Sequence, residues 1–281
     1  VGIAMLLQRP GVVGLRMGIN GVWGNMGIAV APIITGILLL YGDWRLTFMV
    51  PGIICIIFGI LFFINITSNE NSDNKENDNH NKSDQFTPKW QQALFALALS
   101  TASGGFIFGA MSFLLPRYFE IHLNELSTNV AMTGVLAGIV FACASFAQVA
   151  VGWLIDRISP RLVLFWIASG QILFIFLASK FENLSLFFLS IAAMCFVFGQ
   201  IPIIDTILVR YIPDIWRSKV LSAKFLLNLC IAASVLPISS LLLKNGYDLQ
   251  MIFSLASVIA IGVLISSILL PKQDNQLNPN I

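Results

Sequence analysis

Charge is what this sequence has least of: 11% of its 281 residues are Asp, Glu, Lys or Arg, against about 25% in an ordinary soluble domain. That composition excludes an ordinary soluble fold. The net charge is +2, from 16 basic and 14 acidic residues. There is no basic excess of the kind that holds a phosphodiester backbone, so no nucleic-acid partner is expected. The four cysteines, Cys55, Cys143, Cys195 and Cys230, sit in apolar runs with no CxxC or Cys/His spacing. They are expected to be small core residues rather than disulfides or metal ligands. HExxH, GxSxG and P-loop patterns are missing too. Neither an enzyme nor ATP-driven transport is indicated, and no cofactor or metal is expected.

Apolar residues are what remains, at 57% of the chain. A bilayer crossing takes about 20 of them in a row, because in hydrocarbon every backbone N–H and C=O must bond within its own helix. Eight stretches qualify: Gly18 to Leu40, Leu46 to Ile66, Ala93 to Leu115, Val130 to Ile155, Leu162 to Ser179, Leu184 to Val209, Val220 to Leu243 and Leu249 to Leu270. The expected fold class is an all-α polytopic membrane protein.

The basic residues orient it, since loops rich in Lys and Arg stay in the cytoplasm. Arg9, Arg16, Lys75, Lys82, Lys89, Arg157, Arg161, Arg210, Arg217, Lys219, Lys224 and Lys272 fall on one side, and only Arg45, Arg117, Lys180 and Lys244 on the other. The central linker and the C-terminus are therefore expected to be cytoplasmic. Trp44, Trp90, Trp153 and Trp216 fall near span ends, as interfacial anchors do, while Trp23 and Trp166 sit deeper. The Asn-rich stretch from Asn65 to Pro88, with its alternating charges and lone His80, cannot bury apolar surface and is expected to be a flexible linker.

A repeat lies within this order. Arg9 and Arg16 are seven apart just before a span, and Arg210 and Arg217 have the same spacing 201 residues later. Each pair precedes two spans joined by a short loop with a glycine and an aromatic, Gly42 to Trp44 and Gly246 to Tyr247. At that offset, the span opening near Gln91 has its counterpart roughly 110 residues ahead of Val1. The expectation is eight helices of a set of twelve.

Three local patterns then resemble the major facilitator superfamily of secondary transporters, from the end of its helix 4 to helix 12. The run Gly152, Trp153, Leu154, Ile155, Asp156, Arg157, Ile158, Ser159, Pro160, Arg161 is similar to the loop signature GxLxDRxGR(R/K), with Ser159 and Pro160 in place of glycine and arginine. Gly18, Gly27, Ala31, Pro32, Thr35 and Gly36 resemble the antiporter motif GxxxxxxxxGxxxGPxxGG, with small residues in two glycine positions. Tyr211 to Arg217 is similar to the sequence before the family's helix 11. The resemblance implies a partial fold of that family: residues 1–66 from the N-terminal six-helix half, a cytoplasmic linker at 67–89, a C-terminal half at 90–271 and a cytoplasmic tail at 272–281. It implies a membrane transporter working by alternating access, with the lipid bilayer and a small-molecule substrate as partners and the proton as coupling ion. A bacterial inner membrane is the expected location, and the antiporter motif implies export.

Site residues follow from position and chemistry. Gly18, Gly21, Gly24 and Gly27 recur every third residue, so this stripe, with Pro32 and Gly36, is expected to face another helix. The resemblance names that helix as the span carrying Gly134 and Gly138, with a plain packing role weighed beside a sliding one. Asp205 lies 21 residues into its span from Leu184, roughly 31 Å and so near the cytoplasmic edge. It is expected to pair across helices with Arg157 or Arg161 and, with Asp156, to latch one conformation. A proton-carrying role for Asp205 is the alternative. Gln148, Gln200 and Asn228 are the expected substrate-cavity residues among polar groups that otherwise hold helices together, and the Ser100 to Gly105 run suits a cavity wall with an interrupted helix. A non-transporting membrane fragment or scaffold is the competing function.

Overall fold

The structure, a computed structural model, describes residues 13–69, 88–123, 126 and 129–271. Arg9, most of the linker with Lys75, His80 and Lys82, and the tail from Lys272 lie outside the described residues. Among the described residues there are eight helices: α1 Val13–Tyr41, α2 Leu46–Asn69, α3 Trp90–His122, α4 Val130–Ile155, α5 Pro160–Ala178, α6 Asn183–Tyr211, α7 Asp214–Lys244 and α8 Leu249–Leu269. All eight are long and apolar enough to cross a membrane.

Local chemistry sets several ends. The side chain of Asn129 accepts a hydrogen bond from the Met132 amide at 2.8 Å and starts α4. Pro160 opens α5, where its missing N–H costs nothing. Gly246, at φ 84°, turns the chain between α7 and α8. The largest departure from the sequence limits is α3, which runs on through Arg117 and Glu120 to His122. His122, expected in a loop, is the last residue of that helix; it lies against Tyr118 and 3.3 Å from Glu182.

The tightest seam joins α1 to α4, and the two helices run antiparallel. Gly14 meets Gly152 at one end, Gly18 meets Gln148, Gly138 meets Ala29, Gly134 meets Pro32, and Gly36 meets Val130 and Ala131 at the other. A Cβ on Gly18 would stand 2.5 Å from the Gln148 carbonyl oxygen, so the backbones touch where only hydrogen fits. In lipid, where apolar burial drives little association, such close approach supplies the packing energy.

The every-third-residue stripe does not form one face. At about 100° per residue, steps of three drift backwards by roughly 60° each, so Gly27 points opposite to Gly18. Gly24 and Gly27 are exposed and a Cβ on either would meet nothing within 4 Å. Ala31 is exposed as well. The antiporter-like motif is thus split: Gly18, Pro32 and Gly36 serve the α4 seam, whereas Gly27 and Ala31 lie on the far side of α1. Gly134→Leu should therefore weaken the seam by about 1–3 kcal/mol through overpacking against the Pro32 carbonyl. Thermal unfolding in detergent should show a lower midpoint for that variant, with Gly24→Leu unchanged.

The remaining helices form a bundle in which α3 lies against α6, α7 and α8, while α5 packs between α6 and α8 and α4 against α6. Its core includes Ile107, Met111, Leu115, Phe119, Phe141 and Phe198, all nearly inaccessible. α2 buries none of its residues from Leu46 to Ile64. Three of the cysteines expected in the core, Cys55, Cys143 and Cys230, face outward and only Cys195 is half-buried; none is disulfide-bonded. A thiol is apolar enough to face hydrocarbon, so an apolar run does not separate core from lipid contact.

Candidate functional site

The four residues expected to form one charge cluster do not come together, and three of them take separate partners. Asp156 follows the last residue of α4 and reaches across the seam: its Oδ1 accepts from the Gly14 amide and its Oδ2 from the Leu15 amide, both at 2.8 Å. Amides at a helix start lack partners inside the helix, and the positive end of its dipole faces the carboxylate. Arg157 lies 3.8 Å over the Trp153 ring, a cation–π contact at the exposed edge. Arg161 is half-buried and makes no hydrogen bond or ion pair among the described residues.

Asp205 pairs with Lys224 of α7, and not with Arg157 or Arg161. The reason is depth. Asp205 lies six residues inside the end of α6, roughly 9 Å below the level where the arginines stand. Lys224, ten residues into α7, is within reach because its long stem can lie along apolar surface while its ammonium seeks the carboxylate. Both side chains are nearly withdrawn from solvent, at 13% and 9% exposure. The sequence did carry a signal for this pair: an acid and a base each several residues inside consecutive helices joined by only Ile212 and Pro213. Arg210, the second residue missed, donates to the Ile155 carbonyl at 3.3 Å and lies close enough to Asp156 for their charges to interact.

The three cavity candidates also separate. Gln200 is fully engaged: its Nε2 donates to the Ser100 carbonyl and hydroxyl, each at 3.0 Å, and its Oε1 accepts from Gln171 at 2.8 Å. It ties α6 to α3 and α5 as interhelix glue. Asn228 is half-buried against Gly105. α3 is continuous through the Ser100 to Gly105 run, so no interrupted helix exposes its backbone; Gly104 and Gly105 instead admit Gln200 and Asn228. Gln148 differs from both. It is wholly buried in the α1–α4 seam beside Gly21, and neither its Oε1 nor its Nε2 has a hydrogen-bond partner. Asn25, also on the seam side of α1, has an unpartnered Nδ2. No group of three or more His, Cys, Asp or Glu suited to a metal occurs among the described residues.

A cavity of about 210 Å³ opens at the Asp156 end of the bundle, lined by Ser159, Pro160 and Arg161 of the α5 start, Ile207, Arg210 and Tyr211 of α6, and Leu270 and Pro271 after α8.

The eight membrane-length helices among the described residues, packed in part by small residues and holding an ion pair near the end of α6, mark an integral membrane protein. Residues 3–125 match the sequence model of the Major Facilitator Superfamily. The fold is that of the crystal structure of the E. coli fucose:proton symporter FucP: TM-score 0.55 at 15% identity, covering 80% of this chain and 55% of the symporter. Over residues 3–125 the chain is similar to the Major Facilitator Superfamily. It spans about half the length of that solved relative. No curated protein matches it.

Proposed function

We propose that this chain takes part in moving a small solute across a membrane by alternating access, with the α1–α4 seam as one of the surfaces that open and close. The observation that carries this reading is the Asp156 carboxylate seated on the Gly14 and Leu15 amides, bridging two helices that otherwise touch through glycines. Small-residue contacts slide with little penalty, and a single charged clasp then decides whether the seam stays shut. By the sidedness of Lys and Arg the clasp lies on the cytoplasmic face. A bacterial inner membrane is the proposed location, with the segment 67–89 and the tail 272–281 in the cytoplasm.

Gln148 is the leading candidate for solute contact. A fully buried amide with no partner costs about 1–3 kcal/mol in the closed seam, and a hydroxyl or amide of a solute reached on opening would recover that. Gln200 and Asn228 then support the pocket rather than fill it. Amide and apolar walls favour a neutral or weakly charged solute over a polyanion. Proton coupling is drawn from the solved relative, a fucose:proton symporter. Asp205 would be its carrier in this chain if Lys224 released it. The antiporter-like residues favour export.

The test is flux in liposomes containing the chain, with an imposed pH gradient and a panel of neutral and weakly basic solutes. Gradient-driven movement of at least one solute, reduced by Gln148→Ala, is expected. Flux indifferent to the gradient would refute the proton coupling. No flux of any solute would favour the second reading, a non-transporting membrane scaffold.

A further inference from the structure

The cavity at the Asp156 end of the bundle is not needed for the clasp or for the seam. It lies at a helix terminus on every side: the start of α5 and the ends of α6 and α8. Two guanidinium groups, Arg161 and Arg210, line it, and among the described residues no carboxylate does. Asp156, whose charge interacts with that of Arg210, already accepts from two amides of α1. Arg161 has no hydrogen-bond or ionic partner among the described residues. Tyr211 also lines the cavity; it is 6% exposed, its hydroxyl makes no hydrogen bond among the described residues, and its ring lies near enough to Arg210 for an electrostatic interaction. Arg210 already donates to the Ile155 carbonyl, so the donors left over in this open cavity are the Arg161 guanidinium and the buried Tyr211 phenol.

We propose that this cavity binds a phosphate group. Guanidinium forks match phosphate oxygens bidentately, and the phenol and Ser159 hydroxyls add donors to the remaining lone pairs. The cavity, about 210 Å³, is smaller than the roughly 300–1,000 Å³ that holds a drug-sized ligand. It suits a headgroup or a small phosphate ester. Ile207, Leu270 and Pro271 form an apolar side to the same cavity, which suits the glycerol end of a phospholipid. The phosphate has two available sources, an anionic phospholipid of the surrounding leaflet and a soluble phosphate, and the chemistry of the site is common to both. A bound phosphate would sit next to Arg210 and so compete with Asp156 for that charge, linking occupancy to the clasp.

Two arms test this on the purified full chain. In the first, native mass spectrometry counts phosphatidylglycerol and phosphatidylcholine retained from mixed micelles. In the second, thermal unfolding in lipid-free detergent is followed with inorganic phosphate or glycerol 3-phosphate, using equal ionic strengths of chloride as control. Retention of phosphatidylglycerol over phosphatidylcholine, falling about tenfold in Arg161→Gln and largely kept in Arg161→Lys, supports the site with lipid as the source. Stabilisation by either soluble phosphate beyond chloride, lost in Arg161→Gln, supports it with a soluble source. Tyr211→Phe, which keeps the ring packed, should weaken whichever arm responds. If neither arm distinguishes the parent chain from Arg161→Gln while both proteins elute as folded monodisperse species, the proposal is overturned.

Discussion

Replacing Asp205 with alanine should destabilise the protein by about 3–5 kcal/mol, the largest effect expected of any single side chain here. The change leaves the Lys224 ammonium unpaired at 13% exposure, with no second carboxylate bonded to it among the described residues. Removing one partner of a buried pair costs far more than the pair contributes, because the remaining charge keeps its desolvation penalty. The double variant Asp205→Ala with Lys224→Met should recover most of the loss, since neither charge then remains and Met fills the volume of the lysine stem. Thermal unfolding in detergent of the parent, the two singles and the double makes a complete cycle. A double variant no better than Asp205→Ala alone would mean that the carboxylate acts through groups other than Lys224.

The second large effect is expected at Asp156. Its two charge-assisted bonds to the α1 amides, at 2.8 Å each, lie at a helix start where the dipole adds to the attraction. Truncation to alanine should cost about 2–3 kcal/mol of seam closure, equivalent to roughly 30- to 150-fold in the closed-to-open ratio. Amide hydrogen exchange reads this at the bonded atoms themselves: Gly14 and Leu15 should exchange faster by about that factor, while amides in the middle of α3 keep their protection. Equal exchange in the parent and Asp156→Ala would show that the seam is held by glycine packing alone.

The architecture was legible because the physics of the bilayer writes it into composition. Hydrocarbon demands continuous apolar helices, so the spans beginning at Leu46, Val130 and Leu249 appear in the structure at the same residues. The α1–α4 contact was legible only through the family resemblance that paired Gly18 with the span of Gly134 and Gly138. Its facing was misjudged, because a stripe every three residues looks continuous in sequence and winds around a helix of 3.6 residues per turn. Gly27 and Ala31 are the cost of that simplification. The charge partners were less legible still. Asp205 was matched to arginines by sidedness, whereas pairing inside a bundle is decided by depth and side-chain reach, which favoured Lys224. The amides of Gly14 and Leu15 carry no side-chain signal whatever, so no residue pattern reveals them as the partner of Asp156. Gln200 and Gln148 are the same residue type in similar apolar runs. Only packing distinguishes the one whose bonds are met from the one whose bonds are not.

The central claim is that the α1–α4 seam opens and closes as a unit, and the distance across its clasped end tests it most directly. Spin labels at Ile19 and Ile158, both outward-facing, report that distance by pulsed electron resonance in liposomes. Two distance populations are expected, their ratio shifting with an imposed pH gradient and moving strongly to the longer distance in Asp156→Ala. A single population, unmoved by the gradient and by Asp156→Ala, would contradict the claim.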